Sequence, residues 1–276
     1  YMKELKKIDI DNEIYSLIEY ILGEIKKPLF SFNHIKFNKK EYNIFTPILF
    51  FCDNLVYLEL INTNTNKDSC KYLSHSLKNM KKLKHLSLED NLIDDESCKY
   101  LADSFPNMNL ESLSLGGNLI SEIGVEYLLH SLIKMNNLKY LSFGYISEYE
   151  NYITSYKIHG NEIDDLSCGI FSNLLLKMNT LEHIDLSYNY ITNIGLEYLI
   201  FCFIRMKQLK SISIGNNPLK ESDKLYLLIK ELFNKLKSLV YFNIDDFPEG
   251  EIEKLWKKSG RDIRYFNYNV DQYSLN

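Results

Sequence analysis

One six-residue pattern recurs along the chain at an almost fixed interval, and this constrains the fold more than any other feature. Leu55-Val-Tyr-Leu58-Glu-Leu60 returns as LxxLxL at Leu83, Leu110, Leu138, Leu181, Leu209 and Leu239, at intervals of 28, 27, 28, 43, 28 and 30 residues. Alternation within each copy predicts a short strand whose motif leucines share one face. A strand this short, with the one helix that fits in the remainder of the period, cannot bury its own apolar face. It has to lend that face to the copies on either side, which means a stacked solenoid.

The other positions of the period also align. An Asn follows each central strand (Asn91, Asn118, Asn161, Asn189, Asn217), with Ile93, Ile120, Ile163, Ile191 or Leu219 two residues on. An amphipathic helix comes next, carrying Leu73, Leu101, Leu128, Phe171 and Leu199 in one column and Met80, Met108, Met135, Met178 and Met206 at its exit. The columnar Asn side chains are expected to hydrogen-bond loop backbone that no sheet ladder can satisfy. Cys70, Cys98 and Cys168 share a column with Val125 and Leu196, so they read as packed thiols rather than metal ligands or redox groups.

The pattern N-x-I-x-x-x-G-x-x-x-L (Asn118, Ile120, Gly124, Leu128; Asn189, Ile191, Gly195, Leu199) with a 28-residue period resembles the leucine-rich repeat superfamily, in its ribonuclease-inhibitor-like branch. The resemblance covers about residues 55–260. It implies an α/β fold: a right-handed horseshoe with a parallel sheet on the concave face, helices on the convex face and about ten strands. That branch also includes Ran GTPase activators, tropomodulin-like caps and the sensor arms of NOD-like receptors. One domain spans 1–276, with weaker N-terminal repeats over 1–54, regular repeats over 55–238 and a C-terminal cap over 239–276. Leu5-x-x-Ile8-x-Ile10 and Phe32-x-x-Ile35-x-Phe37 are expected to supply strands at one end, the second in a shortened repeat of 23, with helices near 13–25 and 41–52. Ile263-x-x-Phe266-x-Tyr268 is expected to supply one at the other end.

Composition removes several function classes. Net charge is −5, so no general attraction to nucleic acid or anionic membrane is expected. The longest apolar runs are too short to span a bilayer. The five cysteines form no CxxC and no Asn begins an N-glycosylation sequon, which points to an intracellular setting, cytoplasmic or nuclear. The single Ala, at 102, and heavy use of Lys, Asn, Ile and Tyr suit an AT-rich genome. A chain beginning Tyr1-Met2 is expected to be part of a longer one. No HExxH, GxSxG, P-loop or EF-hand pattern is present, so neither an enzyme, a metal nor a cofactor is expected.

The candidate site is the face between the motif leucines. One row reads Tyr57, His85, Ser112, Tyr140, His183, Ser211, Tyr241. The next reads Glu59, Ser87, Ser114, Ser142, Asp185, Ser213, Asn243, and a third Ile61, Glu89, Gly116, Gly144, Ser187, Gly215, Asp245. Tyr and His anchors over a Ser/Gly floor suit a protein partner whose backbone approaches closely. Acids at its edges (Glu59, Glu89, Asp90, Asp185, Asp245) call for basic groups on that partner. The two rims differ in sign, acidic where strand passes to helix and basic where helix returns to strand, as helix dipoles favour.

The 43-residue interval contains an insertion over about 145–159. Tyr145, Tyr149, Tyr152 and Tyr156 fall at helical spacing. Fifteen residues reach out and back about 25 Å, enough to overhang the groove beside Tyr188. The expected function is therefore a non-enzymatic protein-binding module, monomeric alone, that grips its partner with the concave face and this insertion. The alternatives are a Ran-type GTPase activator and a tropomodulin-like filament cap.

Overall fold

The structure, a computed structural model, describes residues 28–34, 36–50, 52–145, 160–244 and 250–261. The first strand, β1 (Leu29–Ser31), is followed by α1 (Lys39–Leu49), β2 (Tyr57–Glu59), α2 (Lys67–Leu77), β3 (His85–Ser87) and α3 (Asp95–Ala102). The alternation continues with β4 (Ser112–Ser114), α4 (Glu122–Leu132), β5 (Tyr140–Ser142), α5 (Asp165–Leu174), β6 (His183–Asp185) and α6 (Asn193–Phe203). It ends with β7 (Ser211–Ser213), α7 (Asp223–Lys235), β8 (Tyr241–Asn243) and α8 (Glu251–Lys258). The strands form one parallel sheet in sequence order.

Register follows the repeat. Leu58 pairs with Leu86, Leu86 with Leu113, Leu113 with Leu141, Leu141 with Ile184 and Ile184 with Ile212, so the motif leucines form continuous buried columns. With strands about 4.8 Å apart, the eight described strands make a wall roughly 34 Å long. The five columnar Met and the cysteines at 70, 98 and 168 are all buried. Burial raises the Cys70 thiol to about 12 and lifts Cys98 and Cys168 well above the ordinary thiol range, so these are packing groups.

The first strand corrects the sequence expectation. β1 is Leu29–Ser31, not a strand over 32–37, and Phe30 pairs with Leu58. Its repeat is a full 28 residues, with Lys27 where the motif's first leucine would stand. Phe32 and Phe37 instead join Phe30, Tyr42 and Phe45 in an aromatic cluster behind the first described strand. The strands expected over 5–10 and 263–268 lie outside the described residues. At the far end Phe233, Phe242 and Trp256 pack together. There Arg261 donates to the carbonyls of Phe233 (3.0 Å), Leu236 (2.6 Å) and Leu239 (2.8 Å), tying the end of α7 to the loop that follows it.

The Asn column works as the spacing predicts. Asn118 Oδ1 accepts from Ile93 N (3.1 Å), while its Nδ2 donates to the carbonyls of Leu88 (2.9 Å), Leu115 (3.0 Å) and Gly116 (3.2 Å). Asn91, Asn161, Asn189 and Asn217 make equivalent bonds, so each side chain stitches its own loop to the preceding repeat. Where Thr63 replaces Asn, its hydroxyl bonds the buried Tyr42 phenol (2.9 Å).

The acids of the strand-to-helix rim do more than face a dipole. Asp94 and Asp164 cap their own helices by accepting from Ser97 N (2.8 Å) and Ser167 N (3.0 Å). Their neighbours Asp95 and Asp165 reach forward to the next helix. Asp95 Oδ1 accepts from Ser121 N (3.0 Å) and Gly124 N (2.9 Å), and Oδ2 from the Ser121 hydroxyl (2.7 Å). Asp165 does the same with Thr192 N (2.9 Å), Gly195 N (2.8 Å) and the Thr192 hydroxyl (2.6 Å). Two carboxylates thus bind α3 to α4 and α5 to α6.

Candidate functional site

Alternation along each strand sends one residue in two into the core and its neighbours to the open face. Across that face the side chains form bands running perpendicular to the strands. The first band, one residue before the Tyr/His row, reads Val56, Lys84, Glu111, Lys139, Glu182, Lys210, Val240. Lys84 and Lys139 both pair with Glu111 (2.6 and 3.4 Å), and Lys210 pairs with Glu182 (2.5 Å). The Lys84 bond, reinforced by Lys139, holds the Glu111 carboxyl below the usual range. Single exposed pairs of this kind contribute little, and an alternating ladder mainly neutralises this border.

The second band is an aromatic ridge. Tyr57 and His85 stack with ring centroids 4.1 Å apart and planes 4° from parallel, and Tyr140 faces His183 at 6.4 Å. Every member, including Tyr241, is half-buried. Burial lowers both His85 and His183 below the ordinary imidazole value, so both are neutral at pH 7. The His85 Nδ1 atom is buried without a hydrogen-bond partner.

The third band places the acids differently from the edge position the sequence suggests. Asp185 is buried at the centre of the sheet. Its Oδ1 accepts from Ser187 N (2.9 Å) and the Ser187 hydroxyl (2.7 Å), and its Oδ2 from the Ser142 hydroxyl (3.3 Å). Ser213 adds a further side-chain bond. Burial outweighs these bonds and raises the Asp185 carboxyl above its ordinary value. Because the folded value exceeds the unfolded one, the folded state binds more protons, and stability falls as pH rises through that interval. Asp185→Asn keeps the shape and removes the buried charge. At pH 7 we expect it to be at least as stable as the parent in urea unfolding, with a flatter stability profile as pH rises above the ordinary carboxylate range. A loss above about 1 kcal/mol at pH 7 would show that the ionised form contributes net stability.

The floor is not open to a partner's backbone at its glycines. A Cβ on Gly116 would lie 1.7 Å from the Gly144 carbonyl oxygen, and one on Gly144 would lie 2.3 Å from Asp185 Oδ1. Both glycines are small because neighbouring repeats fill the space, which corrects the expectation that they leave room for another chain.

The last band carries backbone strain. Asn62, Asp90, Gly117, Tyr188 and Asn216 occupy one position of successive repeats, and all have φ between 54° and 64°. Asn, Asp and Gly suit that left-handed conformation, and a Tyr does not. Tyr145 holds the equivalent place in the fifth strand's repeat, where the insertion begins. Its phenol bonds Asp90 and its ring meets Tyr188 edge to face at 5.8 Å. Burial, then the Asp90 charge, pushes the Tyr145 phenol up to about 12. At the other end Gly160 returns against the Tyr188 carbonyl, 1.8 Å from where a Cβ would stand. Both ends of the insertion are therefore anchored on Tyr188. Asn161 and Ile163 take their places in the Asn and core columns.

Of the predicted residues, Tyr57, His85, Tyr140, His183 and Tyr241 are brought together as the ridge. Glu89 takes a hydrogen bond from Ser114, and Glu59 one from Asn33 (3.4 Å). Asp90, Tyr145 and Tyr188 form a second group at the acidic border. Tyr149, Tyr152, Tyr156 and Asp245 lie outside the described residues, as does the expected helical spacing of the phenols. Among the described residues no three His, Cys, Asp or Glu side chains could hold a metal ion, and no helix is long and apolar enough to cross a membrane. The Lys/Glu ladder was missed because each of its residues reads as an ordinary surface charge until the strands are aligned.

Short strands in parallel register, a column of Asn and a helix returning behind each strand define a leucine-rich repeat solenoid. Residues 79–102 and 177–199 match the family described as Leucine Rich repeat, in agreement with that fold. No curated protein matches the sequence. A solved structure of the tropomodulin C-terminal domain from Caenorhabditis elegans is similar at 12% identity, covering 60% of this chain and 90% of that chain with a TM-score of 0.45.

Proposed function

We propose that this chain is a protein-binding module without catalytic activity, and that its partner lies along the concave face between the Lys/Glu ladder and the border at Asp90. The aromatic ridge carries this reading. Tyr57, His85, Tyr140, His183 and Tyr241 present half-buried, uncharged rings in one line. Rings held in place by neighbouring strands lose little entropy on binding and bury a large area each. The charged ladder neutralises itself, while Glu59, Glu89 and Asp90 leave the other border acidic. A partner with apolar or aromatic side chains at its centre and Lys or Arg on one side fits this cross-section. The Tyr-rich segment after Tyr145 is proposed to add contacts at the acidic border.

Affinity capture with three baits tests this: the intact chain, a Tyr140→Ser/Tyr145→Ser variant, and a chain with residues 146–159 replaced by a short Gly-Ser link. We expect the partner recovered by the intact chain to be lost from the second bait and reduced on the third. Equal recovery by the first two baits would place the contact elsewhere.

A further inference from the structure

The helical side carries a second surface, separate from the groove. Three segments in consecutive repeats run through the strand-to-helix loop and the first two turns of α4, α5 and α6. In the first, Ile123 and Tyr127 stand one turn apart on one face of α4, and Leu119 lies in the loop that leads into it. The second has Glu162, Leu166 and Ile170 at the same places, and the third Tyr190, Ile194 and Tyr198. The loops are tied side by side, Glu162 N donating to the Ile120 carbonyl and Tyr190 N to the Ile163 carbonyl (2.9 and 2.8 Å). The nine positions therefore form one lattice, eight of them apolar. Seven of those eight, all but Ile170, are 41 to 69% exposed.

Scattered exposed hydrophobes need no explanation, but a contiguous lattice on one face does. The core does not require it, because its own columns in these helices are complete: Gly124, Val125 and Leu128 in α4, Gly195, Leu196 and Leu199 in α6. Before it, the exposed Leu92 and the half-buried Tyr100 extend the pattern and Glu96 interrupts it; after it, Pro218 and Ser222 take the loop position and the first helix position.

Charge decides what covers it. Residues 119–127, 160–170 and 188–198 contain no Lys or Arg, and they contain Glu122, Glu126, Glu162, Asp164, Asp165 and Glu197. Asp164 and Asp165 are used in the cap and the clamp, and Glu197 pairs with Lys224 (2.5 Å), which leaves Glu122, Glu126 and Glu162 around the apolar lattice. A second copy meeting this face about a two-fold axis would set these carboxylates against their own equivalents. We infer that the lattice is a docking site for an amphipathic helix of another protein, with Leu, Ile or aromatic anchors on one face and Lys or Arg on both flanks. Three helices about 10 Å apart present roughly 20 Å of apolar surface, the length of a helix of about 14 residues. This site is separate from the groove, and neither depends on the other.

The test uses the full chain and a displayed library of 18-residue amphipathic helices, randomised at anchor and flank positions. Selection runs on the intact chain and on an Ile123→Ser/Leu166→Ser/Ile194→Ser variant, whose exposed substitutions should leave the thermal melt unchanged. Helices enriched on the intact chain are expected to carry large apolar anchors with Lys or Arg flanks. They should bind the variant at least tenfold more weakly, bind a Tyr140→Ser groove variant unchanged, and weaken as salt rises. Equal binding to the triple variant, or enrichment of neutral or acidic flanks, would overturn the inference. So would light scattering that shows a dimer of the intact chain and a monomer of the triple variant, since the occupant would then be a second copy.

Discussion

Asn118→Ala is expected to lower the unfolding free energy by about 3–5 kcal/mol, because it orphans one buried donor and deprives three carbonyls of a shared partner. Asn118 lies in the interior and is buried together with Leu88, Leu115, Gly116 and Ile93. The Ile93 amide loses its acceptor outright, and a methyl group does not fill the volume left behind. Asn118→Asp separates the two halves of the effect. It keeps the oxygen that faces Ile93 N but turns the amide donor into a second oxygen aimed at the same three carbonyls. It should therefore be at least as damaging as Ala at pH 7 and partly relieved at low pH, where a protonated carboxyl can donate. Equilibrium urea unfolding followed by far-ultraviolet circular dichroism measures both. A loss below about 1 kcal/mol for Asn118→Ala would mean that the column is decorative and that strand pairing alone holds the loops.

The clamps are the second place where one side chain holds much of the structure. Asp165→Ala removes three hydrogen bonds and a negative charge from the start of α6, and should cost about 2–4 kcal/mol. Gly195 belongs to the same device, since a Cβ there would lie 2.4 Å from Asp165 Oδ1. Gly195→Ala should push the carboxylate off the helix and destabilise by a similar amount. In the double variant the oxygen that the methyl would strike is gone. The combined loss should then fall short of the sum by at least about 1 kcal/mol, the coupling expected of residues in contact. Strict additivity would disprove the clamp as a unit.

The central repeats were legible in the sequence because each leucine of the motif and each Asn sits in a column that only a stacked arrangement explains. The failure at β1 has a physical cause. Phe30, Phe32, Ile35 and Phe37 offer two registers five residues apart, and Lys27 in the first motif place hides the right one. Only counting 28 residues back from Leu58 finds it. The ridge was legible from alternation, since Tyr57, His85, Tyr140, His183 and Tyr241 occupy one strand position. Asp185 was misplaced because alternation gives the face a residue belongs to and not how deeply its neighbours cover it. Gly116 and Gly144 were misjudged for the same reason, as their neighbours in space are 28 and 41 residues away in the chain. The clamps escaped notice because Asp95 and Asp165 look like helix-start acids, and their partners lie 26 to 30 residues further on.

Those two clamps also divide the repeats into two kinds. One kind carries the Asp-Asp pair and gives a carboxylate; the next begins its helix with Ser121 or Thr192, has Gly124 or Gly195 in its first turn, and receives it. Donor and recipient alternate, and the insertion after Tyr145 falls between one couple and the next. A duplication that copied a single repeat would place two donors or two recipients side by side, leaving one carboxylate without a helix start or one helix start without its carboxylate. A duplication of a couple would leave every helix start served. The couple of two repeats is therefore the smallest stretch that contains a whole clamp, carboxylate and helix start together.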